Sequence, residues 1–292
     1  MTRLAELQSH IASMDELLDI VGAMRSLAGM RVQESQQALP GIRSYADAMA
    51  TAVGAALLLV PDVAARSVPR KQHRAVIVCT SEHGFVGGFN ERMLVAAETH
   101  SASSGRLFLL GSRGTALAFE RGLTATWTAP MATHLPGVSD VVNRLTAALY
   151  AHIARGEIEQ VDVVFGRCRQ GAAIDIEHRQ VLPIERARLT HTPQQEPPLH
   201  NLRPGLLLEK LMAEYVFALL TEAAVESLAS ENTARFAAME SAHDNVSRKL
   251  DGLQASARQA RQTEITAELL DIMTGAEAMR GDGHAHTAHS RG

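Results

Sequence analysis

The segment in which chemistry would first be sought is a glycine-rich loop. Residues Gly84–Asn90 follow an apolar run, Ala75–Cys79, and precede a helix-like stretch. In that setting backbone N–H groups and a helix N-terminus can hold a phosphate. The loop lacks the GxGxxG spacing of dinucleotide-binding proteins and the Gly-Lys-Ser/Thr of a P-loop, however. Glycine also permits the positive φ angles of a tight turn, so the sequence favours a structural turn over a phosphate site. The turn residues are Gly84, Gly87, Gly88 and Asn90.

The ionisable residues form no catalytic constellation. Acidic pairs such as Asp15-Glu16 have no accompanying histidine and no pocket signal. The histidines between positions 284 and 289 are too loosely spaced for a metal site. Cys79 and Cys168 lie far apart, fit no metal or redox spacing and are predicted to be reduced thiols. We therefore expect no catalytic residue, no bound metal and no cofactor.

Arginines at helical spacing are the remaining candidates. Arg25 lies in the N-terminal part of the chain, and Arg235, Arg258 and Arg261, with Gln262, lie in the C-terminal part. Most charges on helices simply face water. A planar guanidinium also bonds carboxylates through two parallel hydrogen bonds, which suits contacts with an acidic partner surface.

Composition excludes several classes of protein. The chain has 292 residues and a formal net charge of −4, whereas a nucleic-acid-binding domain is usually basic. The N-terminus has no apolar signal-peptide core, and the most apolar stretch, residues 52–60, is too short to span a bilayer. Any association with a membrane would therefore be made through a partner.

The N-terminal segment has a coiled-coil pattern. Apolar residues alternate by three and four from Leu4 to Ala56, with Arg25 and Ser35 as the main polar exceptions. That period is typical of a helix paired in a left-handed coiled coil. Pro40-Gly41 predicts a kink or a short break, although the phase of the pattern continues beyond it.

The middle of the chain has the pattern of an α/β domain. Ala75–Cys79, Leu107–Leu110 and Val161–Phe165 are short apolar runs typical of buried strands. The stretches between them predict helices at 90–98, 112–121 and 139–155, so the sheet should be mainly parallel. Residues 172–181 alternate apolar and polar side chains and predict an added strand.

The C-terminal segment predicts one very long helix. Residues 205–279 contain no proline, and a stripe from Met239 to Ala260 again steps by three and four. The stripe then shifts by one position and continues from Ile265 to Met279. Because neither long helix could fold into a compact core, the two must pair with each other and protrude.

These patterns together predict an α/β fold class, in which both termini form a long antiparallel two-helix coiled coil that carries a small Rossmann-like domain. The expected boundaries are 1–60 for the N-terminal helix, 61–190 for the α/β domain, 191–204 for a linker, 205–280 for the C-terminal helix and 281–292 for a disordered tail.

Four motifs in order resemble those of the gamma subunits of F-type ATP synthases. The most specific is Ile265-Thr-Ala-Glu-Leu-Leu-Asp-Ile-Met-Thr-Gly-Ala276, which is similar to the C-terminal signature of that family. The other three are residues 226–245, Gly22-Ala-Met-Arg-Ser-Leu-Ala28 with the Ile-Ala-Ser-Met of residues 11–14, and Ser81-Glu-His-Gly-Phe-Val-Gly-Gly-Phe-Asn90. The N-terminal helix departs from the family pattern by its acidic residues, which suggests a divergent branch such as an alternative bacterial F-type ATPase.

The resemblance implies a non-catalytic rotor shaft that couples proton or sodium flow through a membrane ring to ATP synthesis or hydrolysis. Its partners would be the alpha and beta subunits, the epsilon subunit and the c-ring, at the cytoplasmic face of a bacterial plasma membrane. The positions matching beta-subunit contacts are Arg235, Arg261, Gln262 and Thr266, with Arg258, Met24 and Arg25 nearby. An apolar bearing tip would comprise Ile272, Met273, Ala276 and Met279.

Two rival hypotheses remain at this stage. One is a nucleotide-binding α/β protein with helical arms, which would use the Gly84–Asn90 loop. The other is a passive coiled-coil scaffold. Tight nucleotide binding by the isolated chain, lost on Gly87→Val, would favour the first. Coupled ATP synthesis that persists without the chain would contradict the rotor role that the resemblance implies.

Overall fold

The structure is a computed structural model that describes residues 2–60, 73–100, 105–169, 173–185, 189 and 199–285, with the backbone alone for 2, 100 and 277–285. The elements in chain order are α1 (Thr2–Leu57), β1 (Arg74–Cys79), α2 (Phe89–His100), β2 (Arg106–Leu110), α3 (Ser112–Glu120), β3 (Trp127–Ala129), a short 3-10 helix (Leu135–Gly137), α4 (Val138–Ala154), β4 (Gln160–Cys168), β5 (Ile174–Leu182) and α5 (Pro204–Ala285).

The strands form one five-stranded sheet in the order β3-β2-β1-β4-β5. The first four strands are parallel, and β5 pairs antiparallel with β4. This confirms the predicted mainly parallel sheet with an added strand. The sequence did not predict β3, because a run of three residues at a sheet edge carries no recognisable pattern.

Helices cover both faces of the sheet, as the continuous apolar strands require. One face, represented by Ile77, Phe108 and Phe165, packs against a cluster that draws side chains from α1, α4 and α5. The opposite face, represented by Val78 and Leu109, packs against α2 and α3. The long helices are therefore part of the core of the α/β domain as well as of the coiled coil.

The structure divides into two compact units, which are described separately. The central unit is Arg25–Ala238, and the terminal unit is Met1–Met24 with Met239–Gly292. In the central unit α1 pairs antiparallel with α5: Gly29 lies against the ring of Phe236, and Tyr45 donates a hydrogen bond to the Glu214 carboxylate. In the terminal unit both helices bury one face, with Val21 on α1 and Met239 and Leu250 on α5.

The predicted seam of α1 is confirmed. All of its positions from Leu4 to Ala56 are buried or half-buried, and Ser35 is buried as fully as its apolar neighbours. The predicted interruption at Pro40-Gly41 is wrong in one respect, since α1 is a single helix with Pro40 inside it. Pro40 and Gly41 are exposed, so water can solvate the carbonyl that loses its N–H donor while the seam residues on either side hold the helix in register.

The stripe of α5 behaves differently in its two parts. From Met239 to Ala260 the predicted positions are buried or half-buried, whereas the shifted positions from Ile265 to Ala276 are exposed. The change in phase thus coincides with the loss of burial against α1. Within the described residues no helix is long and apolar enough to cross a membrane.

Candidate functional site

The crevice at the carboxyl ends of β1 and β4 is where open α/β sheets usually bind ligands, because the strand order reverses there. In this chain α5 occupies it. The Ser227 hydroxyl donates a hydrogen bond to the Cys79 carbonyl oxygen at 3.0 Å. A Cβ atom on Gly166 would lie only 2.8 Å from the Cβ of Ser230, so glycine is needed for this close approach of strand and helix. The usual nucleotide position is therefore filled by the chain's own helix.

The glycine-rich loop has the geometry of a tight turn. Phe85 and Gly87 have φ angles of 61° and 54°, in the left-handed region. Asn90 holds the loop closed, since its Oδ1 accepts the Ser81 N–H at 2.9 Å and its Nδ2 donates to the Ser81 hydroxyl at 2.7 Å. Gly84 and Gly88, also predicted as turn residues, have no positive φ and flank the two residues that do.

Glu82, two residues before this loop, caps the N-terminus of α3. Its carboxylate accepts the N–H of Ser112 at 3.0 Å, the hydroxyl of Ser112 at 2.6 Å and the N–H of Met131 at 2.9 Å. Partial burial alone would raise the pKa of this carboxyl, but these hydrogen bonds outweigh it and lower the pKa below its usual value. A helix N-terminus that could attract a phosphate is thus already neutralised by an intramolecular carboxylate.

Arg235 was predicted to contact a partner, and the structure places it inside the central unit. Its guanidinium donates to the Glu231 carboxylate at 2.6 Å and to Asn232 Oδ1 at 3.0 Å. It also donates to the carbonyl oxygens of His83 and Gly84, each at 3.3 Å. Arg235 therefore fastens the glycine-rich loop to α5, a role that the sequence motif did not reveal.

Of the two carboxyls beside the loop, Glu82 and Glu231, the second has the larger shift in pKa. Its side chain is almost completely buried, and burial raises its pKa to about 7. Arg235 and Arg31 oppose that rise by favouring the charged form, while Glu82 adds to it. The carboxyl consequently titrates near neutral pH, at the point where α5 meets the loop.

A closed ring of six alternating charges joins the long helices to the sheet. Its members, which we call the ion-pair ring, are Arg43 on α1, Arg167 on β4, Glu177 and Arg179 on β5, and Glu222 and Glu226 on α5. Each arginine of the ring contacts two glutamates, and each glutamate contacts two arginines.

On the β5 side of the ion-pair ring the charged groups are in direct contact. Arg179 is 2.6 Å from Glu222 and 3.1 Å from Glu177, and its guanidinium stacks over the Phe165 ring at 4.9 Å. Arg167 is 2.8 Å from Glu177 and 3.7 Å from Glu226. Arg43 closes the ring through Glu226 and, at 3.5 Å, Glu222. Because Glu226 is buried and Arg179 nearly so, the ring ties α1, α5 and the sheet together in a partly dry environment.

The predicted partner-contact residues of the terminal unit lie on the surface of α5. Arg258, Arg261 and Gln262 are exposed, and Thr266 is exposed with its hydroxyl bonded to the Gln262 carbonyl oxygen at 2.8 Å. Residues 258, 262 and 266 share one helix face because they are spaced by four. On α1, Met24 is half-buried at the end of the terminal unit, and Arg25 is half-buried at the start of the central unit.

The predicted bearing tip is apolar and exposed. Ile272 and Met273 are 68% and 66% exposed, and Ile265, Leu269 and Leu270 upstream are all more than half exposed. Ala276 is also exposed, and the side chain of Met279 lies outside the described residues. The side chains of the histidines predicted not to bind metal lie outside them as well. Within the described residues, no group of three or more His, Cys, Asp or Glu side chains is placed to hold a metal ion.

Comparisons with known proteins agree with this architecture. A family model described as ATP synthase matches residues 3–279. ATP synthase gamma chains from two strains of Acidithiobacillus ferrooxidans are each 28% identical over 296 residues, covering 96% of this chain and 100% of the relative.

Solved structures share the fold at low sequence identity. The central stalk and c-ring structure of the Tetrahymena thermophila mitochondrial ATP synthase contains a chain with a TM-score of 0.56 and 16% identity, covering 76% of this chain and 99% of that one. A chain of the Euglena gracilis mitochondrial ATP synthase rotor gives 0.59 and 14%, covering 90% and 99%. A chain in the OSCP/F1/c-ring structure from the same organism gives 0.63 and 15%, covering 97% and 96%.

The chain belongs to the ATP synthase family, because the family model covers nearly its whole length. Its place in that family is with the gamma chains, which the four motifs predicted and the curated relatives confirm. A helix at each end around a mixed five-stranded sheet is the fold that these proteins share with it.

Proposed function

We propose that this chain is the central rotor shaft of an F-type ATP synthase. In this role it catalyses no reaction itself and couples proton or sodium flow through a membrane ring to ATP synthesis or hydrolysis in a hexamer of alpha and beta subunits. The observation that carries the proposal is the exposed apolar part of α5, from Ile265 to Met273, which continues a coiled coil beyond its seam with α1. Exposed apolar surface of this kind marks a site of interaction with another protein.

The shaft would act by binding the beta subunits unequally. A two-helix rod presents a different set of side chains in each direction, so rotation changes which surface each beta subunit meets. A subunit conformation that binds the facing surface more tightly becomes more populated, and its nucleotide affinity changes accordingly. Rotation and nucleotide binding are then coupled solely through the free energy of the contacts between the shaft and the beta subunits.

The exposed polar residues of α5 would provide directional contacts along this rod. Arg258 and Arg261 can each bond a carboxylate of a beta subunit through two hydrogen bonds, and Gln262 and Thr266 extend the same surface. Met24 and Arg25 would contribute from α1. Arg235 would act indirectly, by fixing the Gly84–Asn90 loop against α5.

The ion-pair ring suits the transmission of torque. A rotor must pass force between its α/β domain and its helices without the two slipping past each other. The ring joins two strands to both helices through charged groups whose separation is costly in a partly buried site. We propose that the α/β domain docks with the epsilon subunit and the c-ring, and that the chain is thereby peripheral to the cytoplasmic face of a bacterial plasma membrane.

A pair of matched variants tests the bearing function. Leu269→Ser with Ile272→Ser removes two exposed apolar side chains, whereas Glu268→Ser with Asp271→Ser changes the adjacent polar positions. Because each large apolar side chain contributes about 1.5–3 kcal/mol when it is buried, the apolar pair should weaken assembly with the alpha and beta subunits by about tenfold or more. Co-purification and ATP-driven ion pumping of the reconstituted complex measure the effect.

Stability measurements separate this function from folding. All four side chains are exposed in the isolated chain, so neither double variant should shift the unfolding free energy by more than about 1 kcal/mol. The proposal fails if the apolar double variant assembles and pumps as well as the polar one. It also fails if coupled ATP synthesis persists in a complex that lacks the chain.

A further inference from the structure

An arginine-lined cavity lies on the central unit, beside the ion-pair ring. Its volume is about 730 Å³, and its lining includes the side chains of Arg43, Arg92, Arg167 and Arg169. They come from α1, α2, β4 and the residue directly after β4. Four guanidinium groups around one cavity are unusual in a chain whose net charge is −4. We propose that this cavity, which we call the arginine cavity, binds an acidic segment of a partner protein.

The charges of the arginine cavity favour an anionic ligand. Among the described residues of its lining, two carry carboxylates, Asp175 and Glu177 on β5. Arg169 pairs with Asp175, and Arg167 pairs with Glu177. Arg92 donates a hydrogen bond of 2.6 Å to the Ile174 carbonyl oxygen through one of its five guanidinium N–H groups. Because Glu222 and Glu226 pair with Arg43 from outside the lining, the donors left for an added carboxylate are chiefly those of Arg92 and the exposed N–H groups of Arg169.

The chemistry of the lining favours carboxylates over phosphate compounds. Arg43, Arg167 and Arg169 already bind carboxylates of this chain, so their positions suit that partner. The cavity is far larger than a single phosphate ion. A nucleotide would need an apolar surface for its base, and Ile176 is the one large apolar side chain among the described residues of the lining.

The exposure of the arginines indicates how the segment binds. Arg169 is 75% exposed, and Arg43 and Arg167 are about 40% exposed, so an incoming chain can reach all three. Acidic side chains on neighbouring residues of an extended segment can contact several of them at once. Arg92 and Arg169 lie outside the ion-pair ring, so they can be changed without opening that ring.

The test uses the full chain and a labelled hexaglutamate peptide, with hexaglutamine as the uncharged comparison. Arg92→Gln with Arg169→Gln removes two cavity arginines, and Arg113→Gln with Arg144→Gln removes two exposed arginines elsewhere on the central unit. Fluorescence anisotropy should show binding of hexaglutamate alone, weakening as salt is added. The cavity variant should bind about fivefold more weakly and the control within about twofold, since fivefold corresponds to about 1 kcal/mol, which is in the range of exposed ion pairs.

Three outcomes would overturn the inference. Hexaglutamate fails to bind the unmodified chain at millimolar concentration, the two double variants weaken binding equally, or pyrophosphate displaces the peptide at a lower concentration than free hexaglutamate does. The last result would assign the cavity to a phosphate ligand. Because the peptide assay uses the isolated chain, its result is separate from assembly with alpha and beta subunits, and either proposal can fail alone.

Discussion

Neutralising Glu222 tests the energetics of the ion-pair ring most directly. Its carboxylate is 2.6 Å from Arg179, whose side chain is only 7% exposed. In Glu222→Gln the buried Arg179 guanidinium loses its closest anion, and water cannot reach it to solvate its charge. Breaking a buried pair in this way costs about 3–5 kcal/mol. We expect a loss of about 3 kcal/mol, at the low end of that range, because Arg179 keeps Glu177 and the Phe165 ring.

Glu226→Gln is the informative comparison, since Glu226 is more deeply buried than Glu222. Its partners, Arg43 and Arg167, are each about 40% exposed and can be rehydrated when the charge is removed. We therefore expect a loss of only about 1 kcal/mol, in the range of an exposed pair. Glu209→Gln, an exposed position on the same helix, should change the free energy of unfolding by less than about 0.5 kcal/mol.

Urea unfolding followed by far-UV circular dichroism and by fluorescence provides the measurement. The single tryptophan, Trp127 on β3, reports on the sheet, while circular dichroism reports mainly on the helices. A loss for Glu226→Gln equal to or greater than that for Glu222→Gln would refute this account, because burial of the remaining arginine would then not set the cost. The double variant Arg179→Met with Glu222→Leu should recover most of the stability that Glu222→Gln loses, since an apolar pair leaves no unpaired charge buried.

Two further predictions concern the place where α5 meets the α/β domain. Burial raises the pKa of Glu231 to about 7, so the folded chain binds a proton that the unfolded chain releases between about pH 4.5 and 7. This carboxyl should therefore stabilise the fold most at low pH and lose that contribution as pH rises to 7. The test is the difference in unfolding free energy between the unmodified chain and Glu231→Gln, measured from about pH 5 to 8. This difference should fall by roughly 3 kcal/mol at most as the pH rises, and a difference that does not change with pH would contradict the prediction. Gly166→Ala should cost about 1–3 kcal/mol, because its Cβ would lie 2.8 Å from Ser230. Gly252→Ala is the control, because Gly252 on α5 has open space around it, and this change should stabilise the helix by about 0.5–1 kcal/mol. Thermal unfolding measures both variants, and an equal loss of stability in the two would be evidence against the close approach of β4 and α5.

The long helices and the buried strands could be predicted from sequence because their patterns are local. A helix in a coiled coil repeats the same burial every three or four residues, and every predicted seam position of α1 is indeed at least half-buried. The strands β1 and β2 have continuous apolar runs, and β4 has one that only Asp162 interrupts, as a sheet covered on both faces requires. The edge strand β3 escaped prediction because three residues are too few to show a period.

The candidate sites were predictable only in part. The family motifs pointed to Arg235 as a partner contact, but its hydrogen bonds to the His83 and Gly84 carbonyl groups reach more than 150 positions along the chain. Glu82 likewise occupies the N-terminus of α3, 30 residues away. No spacing rule links such positions, because their proximity is created by the packing of α5 on the sheet.

The sequence by itself determined the two long helices, the mainly parallel α/β domain and the family, since each depends on a short repeat or a contiguous motif. Tertiary structure alone decided that α5 fills the crevice of the sheet, that its apolar end is exposed and that six distant charges close into a ring. Burial and ion pairing between distant segments depend on three-dimensional distances, and the order of residues along the chain does not contain those distances explicitly.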